Sequence, residues 1–120
     1  MRILGIAWLL LLAGCVTAMS AQQFYTEFPK ATNTMYLTGA DAIAAVESGS
    51  CTKIADHVYN APIGMTVYGD VNAGAEGVDS MVTNDGGNAY RITNFSWLPV
   101  ADGSGATQLR IEFSALSCRE

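Results

Sequence analysis

The stretch Thr107–Cys118 constrains this chain more than any other. Leu109, Ile111, Phe113 and Ala115 fall on one side, and Gln108, Arg110, Glu112 and Ser114 on the other. That two-residue period belongs to a strand with one buried face, as in an antiparallel sheet laid on a helix. The partners must come from the same 120 residues, a length that builds one core and no second.

Three further segments supply candidate strands. Cys51–Asn60 carries Ile54, Val58 and Tyr59 between Gly and Pro, and its alternation slips near Asp56 and His57, which predicts a bulge there. Val78–Thr83, with Val78, Met81 and Val82, and Ala89–Trp97, with Tyr90 and Ile92 opposite Arg91 and Thr93, flank Asn84-Asp-Gly-Gly-Asn88. That turn chemistry predicts a hairpin. Between the first and second strands, Pro62 suits a helix start, and Ile63, Val67, Val71 and Ala75 recur every four residues, one stripe of a main helix that Gly74 or Gly77 would end. Thr34–Thr38 reads as a short extended segment, Ala40–Glu47 as one or two helical turns, and Asp102-Gly-Ser-Gly105 as a turn. The expected fold class is α+β, a small two-layer sandwich with a mainly antiparallel sheet of about four strands on one main helix.

Charge limits the partners. Six basic residues stand against eleven acidic ones, a net charge of −5. A ligand of nucleic-acid backbones needs clustered Lys and Arg, whereas Lys30, Lys53, Arg91, Arg110 and Arg119 are scattered. No nucleic acid is expected as a partner.

The N-terminus carries an address. Arg2 precedes an apolar run from Ile3 to Ala13, closed by Leu12-Ala13-Gly14-Cys15. A membrane span needs about 20 apolar residues, and this shorter run ending on small residues has the order of a secretory signal. Leu12-Ala13-Gly14-Cys15 resembles the lipobox of bacterial lipoproteins. The resemblance implies diacylglycerol on the Cys15 sulfur, cleavage before Cys15 and acylation of the new N-terminus, with the membrane as a partner through these chains. Val16 follows where an aspartate would favour the inner membrane, so the implied location is the outer membrane, facing the periplasm. The resulting layout is a signal peptide over 1–14, the lipidated Cys15 and a tether over 15–33, and one globular domain over 34–120. Within the tether, Phe24, Tyr25 and Phe28 form an aromatic cluster expected to dock on the domain, the alternative being that it rests at the lipid interface. With Cys15 assigned to lipid, Cys51 and Cys118 are left in an oxidising compartment and are expected to form a structural disulfide. It would close a separation of 67 residues (118 minus 51), which a chain-entropy argument values at about 4 kcal/mol.

Ala73-Gly-Ala-Glu-Gly-Val78, together with a Cys opening the preceding strand and another near the C-terminus, is similar to small enterobacterial envelope lipoproteins related to the stress sensor of the Rcs phosphorelay. That resemblance covers about Cys51 to Cys118 and implies a related fold and a part in envelope stress. The chain has two globular cysteines where the sensor has four, and it lacks the sensor's Pro-rich, basic linker.

Catalytic signals are sparse. His57 is the single histidine, and in a strand its neighbour Asp56 points to the opposite face, the wrong geometry for orienting an imidazole. Asp70, Asn72 and Glu76 are oxygen donors, yet an EF-hand would need Gly and Glu where Ala75 and Met81 stand. No catalytic residue, metal site or cofactor is expected. The favoured reading is a non-enzymatic, lipid-anchored envelope protein that binds, senses or supports an envelope protein partner, with Tyr25, Tyr59, Tyr90 and Trp97 as the contact surface. The alternative is a small enzyme or metal-binding protein using His57 with Asp56 or Glu76.

Overall fold

The computed structural model describes residues 19–63, 66–101 and 106–119. The expected signal peptide, Cys15 and the turn expected over Asp102–Gly105 lie outside them. In chain order the elements are α1 (Ala21–Glu27), running into a 3-10 turn (Phe28–Ala31), β1 (Met35–Tyr36), α2 (Gly39–Ser48), β2 (Cys51–Asn60), α3 (Val67–Asn84), β3 (Ala89–Pro99) and β4 (Thr107–Cys118). The fold is α+β, with a four-stranded mixed sheet in the order β1-β3-β4-β2.

The strongly alternating β4 lies inside the sheet, antiparallel to β2 on one side and to β3 on the other, while β1 adds to β3 in parallel. It follows that β1, β2 and β3 run the same way. Each crossover between them must therefore pass over a face of the sheet, through α2 for β1 to β2 and through α3 for β2 to β3. The two crossovers travel in opposite directions across the sheet, and the common right-handed sense of such connections then puts their helices on opposite faces.

On one face, Leu109, Ile111, Phe113 and Ala115 of β4 meet Val71, Ala75, Val78 and Val82 of α3. On the other, α2 covers a single corner, where Ala42 packs with Cys51, Ala89, Leu116 and Cys118. This corrects the expectation that only one face of the last strand is buried: Ser114, Leu116 and Cys118 are buried on the second face.

The main helix is longer than expected, and the strand expected over Val78–Thr83 does not form. Val71, Ala75, Val78 and Val82 continue at helical spacing beyond the point where the glycines were expected to end the helix. Gly74 and Gly77 serve packing instead. A Cβ on Gly74 would lie 2.8 Å from Ile111 Cδ1, and one on Gly77 would lie 2.1 Å from Tyr59 Cζ, so the absence of side chains lets α3 approach the sheet. The turn at Asn84–Asn88 therefore links α3 to β3, and the hairpin of the fold joins β3 to β4.

Two bulges adjust the alternation. One lies between Lys53 and Ala55, upstream of the predicted place. The other lies between Ile92 and Asn94; the inserted Thr93 changes the parity of β3, so that Tyr90 and Ile92 before it and Phe95 and Trp97 after it all pack toward the same core.

The segment expected to be tether is, over 21–31, helical and part of that core. Ser20 caps α1 by accepting from Gln23 N–H. Phe24 and Phe28, one turn apart, are fully buried, with Phe24 stacked on Phe95 at 3.9 Å between ring centres. Even Met19 is buried in the same cluster. The burial of two phenylalanines, about 1.5–3 kcal/mol each, outweighs the weak intrinsic stability of so short a helix. Asp79 of α3 then clasps the chain that follows, accepting from Asn33 N–H (2.7 Å), Thr34 N–H (3.1 Å) and the Thr34 hydroxyl (2.5 Å).

Candidate functional site

Because α2 covers only the Cys51 corner of its face, the described residues leave the rest of that face open. A groove of about 470 Å³ runs along it, lined by Lys53, Asp56, Val58, Arg91, Glu112 and Ser114 among others. It adjoins a second hollow of about 280 Å³ beneath α2, walled by Ile43, Val46 and Leu116 and sharing Lys53, Arg91 and Ser114 with the first. One end of the concavity is thus polar and the other apolar. Ile43 and Val46 remain exposed on the α2 wall.

Most charges here are paired. Lys53 Nζ lies 2.6 Å from Asp56 Oδ2, and the Ser114 hydroxyl donates to Asp56 Oδ1 at 2.5 Å. The Lys53 and Ser114 contacts hold the Asp56 carboxyl below its ordinary range. Glu112 accepts from Asn94 Nδ2 at 3.1 Å and lies 3.6 Å from Arg110 Nη1. Arg91 differs. Its Nε is buried without a hydrogen-bond partner among the described residues, and no carboxylate among them forms an ion pair with it. The guanidinium lies beside the start of α2, where a Cβ on Gly39 would come within 3.4 Å of Nη2. A central strand fixes its position, since Arg91 pairs with Ser114 across β3 and β4.

The residues singled out from the sequence fare unequally. Cys51 and Cys118 face each other across β2 and β4, bonded, with Cα atoms 4.0 Å apart. Cys15 lies outside the described residues. The four aromatics do not form a contact surface. Tyr90 is fully buried, its phenol sharing a hydrogen bond with Thr32 Oγ1 at 2.8 Å, because the parity of β3 turns it to the core. Tyr59 and Trp97 pack against that core, and of the set only Tyr25 counts as exposed. His57 is 2.5 Å from Asp85 Oδ2 at the end of α3. Asp56 projects from the other face, as strand parity requires, and Glu76 is exposed on α3. Among the described residues, no group of three His, Cys, Asp or Glu side chains could hold a metal ion, and no helix is long and apolar enough to cross a membrane.

No family model, curated protein or solved structure matches this chain.

Arg91 was missed as a site residue. Its one signal in the sequence is position: an arginine inside an apolar strand, between Tyr90 and Ile92, must face away from the core. Whether a carboxylate answers it depends on which side chains β2, β4 and α2 bring alongside, and no local pattern encodes that.

Proposed function

We propose that this chain is a lipid-anchored protein of the bacterial outer membrane, facing the periplasm, that works by binding rather than catalysis. Its site is the Arg91 groove, and its ligand an acidic segment of an envelope protein partner. The lipobox resemblance supports the anchor, and the bonded Cys51–Cys118 pair is in keeping with an oxidising compartment.

The observation that carries the binding site is the unanswered Arg91. The guanidinium lines the groove with no carboxylate among the described residues paired to it, and a carboxylate docking on it would form a charge-assisted pair. Ile43, Val46 and Val58, all partly exposed on the walls, would take the aliphatic part of the same segment.

A photo-crosslinking residue placed at Ile43 or Val58 in growing cells tests this reading. One adduct of defined mass is expected, lost when Arg91→Met is added. Adducts indifferent to Arg91→Met would reject the groove, and an intact mass without acyl chains would reject the anchor. The 2.5 Å contact of His57 with Asp85 favours a second reading, a small enzyme or metal-binding protein using His57; unchanged bound metal and phenotype in His57→Ala would remove it.

A further inference from the structure

The end of the sandwich where the chain enters has a chemistry of its own. Ala61 N–H donates to the Leu109 carbonyl at 2.9 Å, and Gln108 Nε2 to the Ala61 carbonyl at 3.1 Å, which joins the start of the β2–α3 loop to the start of β4. Leu98 pairs with Gln108. Gln23 Nε2 donates to the Tyr68 hydroxyl at 2.6 Å, and the Tyr25 ring stands edge-on to Phe95 at 5.3 Å. These contacts gather Tyr25, Ile63, Tyr68 and Leu98 at one end, where they are 38–52 % exposed.

The sequence around these side chains is short of charge. The described segments 19–26, 60–63, 66–69, 94–101 and 106–109 contain no Asp, Glu, Lys or Arg, in a chain with seventeen such residues (eleven plus six). The flanking charges along the sequence are Glu27, Asp70, Asp102 and Arg110; Asp70 is buried, and Arg110, in register with Asn60 and Ser96, lies 3.6 Å from Glu112. An acidic protein is otherwise repelled by anionic lipid. An end with exposed tyrosines and aliphatic side chains, and with Arg110 as its nearest described cation, has the composition of residues that settle at a membrane interface.

Chain length decides what occupies it. Met19 is already in the core, so only residues 16–18 separate the fold from Cys15. Four residue steps reach at most about 14 Å, while the headgroup layer on each side of a bilayer is about 5–8 Å thick. We infer that the lipidated protein rests on the bilayer through this end, with Tyr25, Ile63, Tyr68 and Leu98 in the headgroup region. The inference rests on lipidation of Cys15. The opposite end, with α2 and the disulfide, is then held away from the membrane, since the nine steps of β2 from Cys51 to Asn60 span about 30 Å.

Full-length protein isolated with its lipid and reconstituted into phosphatidylethanolamine–phosphatidylglycerol vesicles tests the orientation, using a lipid with a photoactivatable diazirine near its headgroup. Label is expected on Tyr25, Ile63, Tyr68 and Leu98, several-fold above Ile43 and Val46, which are similarly exposed (49 % and 42 %) on α2. Tyr68→Ser with Ile63→Ser, both at exposed positions, should reduce label on Leu98. Equal label at the two ends, or none at the entry end of a protein whose intact mass includes acyl chains, overturns the orientation and leaves the anchor intact. An intact mass without acyl chains overturns both.

Discussion

Tyr90 and Arg91 are consecutive on β3 and serve opposite faces of the sheet, one closing the core and the other opening a site. Burial is the main cause that pushes the Tyr90 phenol well above its ordinary value of 10.0, with the Asp79 charge adding and the Thr32 hydrogen bond opposing. The folded protein therefore keeps the proton after the unfolded chain has lost it. This contribution is complete below about pH 10 and declines as pH rises further. Tyr90→Phe should cost about 1 kcal/mol at pH 8 through the lost bond to Thr32, and should flatten the alkaline decline in urea denaturation measured from pH 8 to 11. Arg91→Met should do the reverse of what a core substitution does. By removing a buried donor that no described residue satisfies, it should raise stability by up to about 1 kcal/mol in the same assay while abolishing the groove's adduct.

At the scale of elements, α3 depends on residues that look like helix breakers. Propensity alone makes Gly77→Ala stabilising by about 1 kcal/mol. Its new methyl would instead strike the Tyr59 ring, and the expected net result is a loss of about 1–2 kcal/mol in chemical denaturation, with Asn72→Ala on the exposed side near neutral. The same glycines explain what was and was not legible beforehand. The strands β2, β3 and β4 could be read because β-branched residues or a two-residue alternation mark each of them, and the Cys pair because, with Cys15 assigned to lipid, only those two were left. The second half of α3 could not, since Val78, Met81 and Val82 ahead of Asn84-Asp-Gly-Gly-Asn88 mimic a hairpin arm, and a local window does not reveal that Gly74 and Gly77 face Ile111 and Tyr59. Helix α1 escaped for another reason: Phe24 and Phe28 are a single i, i+4 pair, too short a pattern to show a period. Of the candidate site, the side of β3 that carries Arg91 followed from parity, whereas Lys53 joins it only through the bulge between Lys53 and Ala55. That no carboxylate among the described residues pairs with Arg91 is a matter of tertiary assembly.

Across the whole molecule, the covalent closure lies at the end opposite the one proposed to meet the membrane. Cys51 and Cys118 bond the start of β2 to the finish of β4, and the 67-residue separation corresponds to about 4 kcal/mol in the chain-entropy account, out of the 5–15 kcal/mol typical of a domain. Reduction, or Cys51→Ser with Cys118→Ser, should lower the urea midpoint by a corresponding share without changing the pairing of β3 with β4, as amide exchange can follow. The burial of Met19, Phe24 and Phe28 has a consequence for turnover. A protease that would shed such a domain from a membrane has residues 16–18 to cut, because cleavage between Met19 and Phe28 removes side chains from the core. Digestion of the vesicle-bound protein should release either a fragment starting at or before Met19 or small peptides, with no stable product starting between residues 20 and 33 in the mass spectrum. With Cys15 lipidated as proposed, the leash and the keystone would be one piece of chain, and the protein would leave the surface whole or be destroyed in leaving.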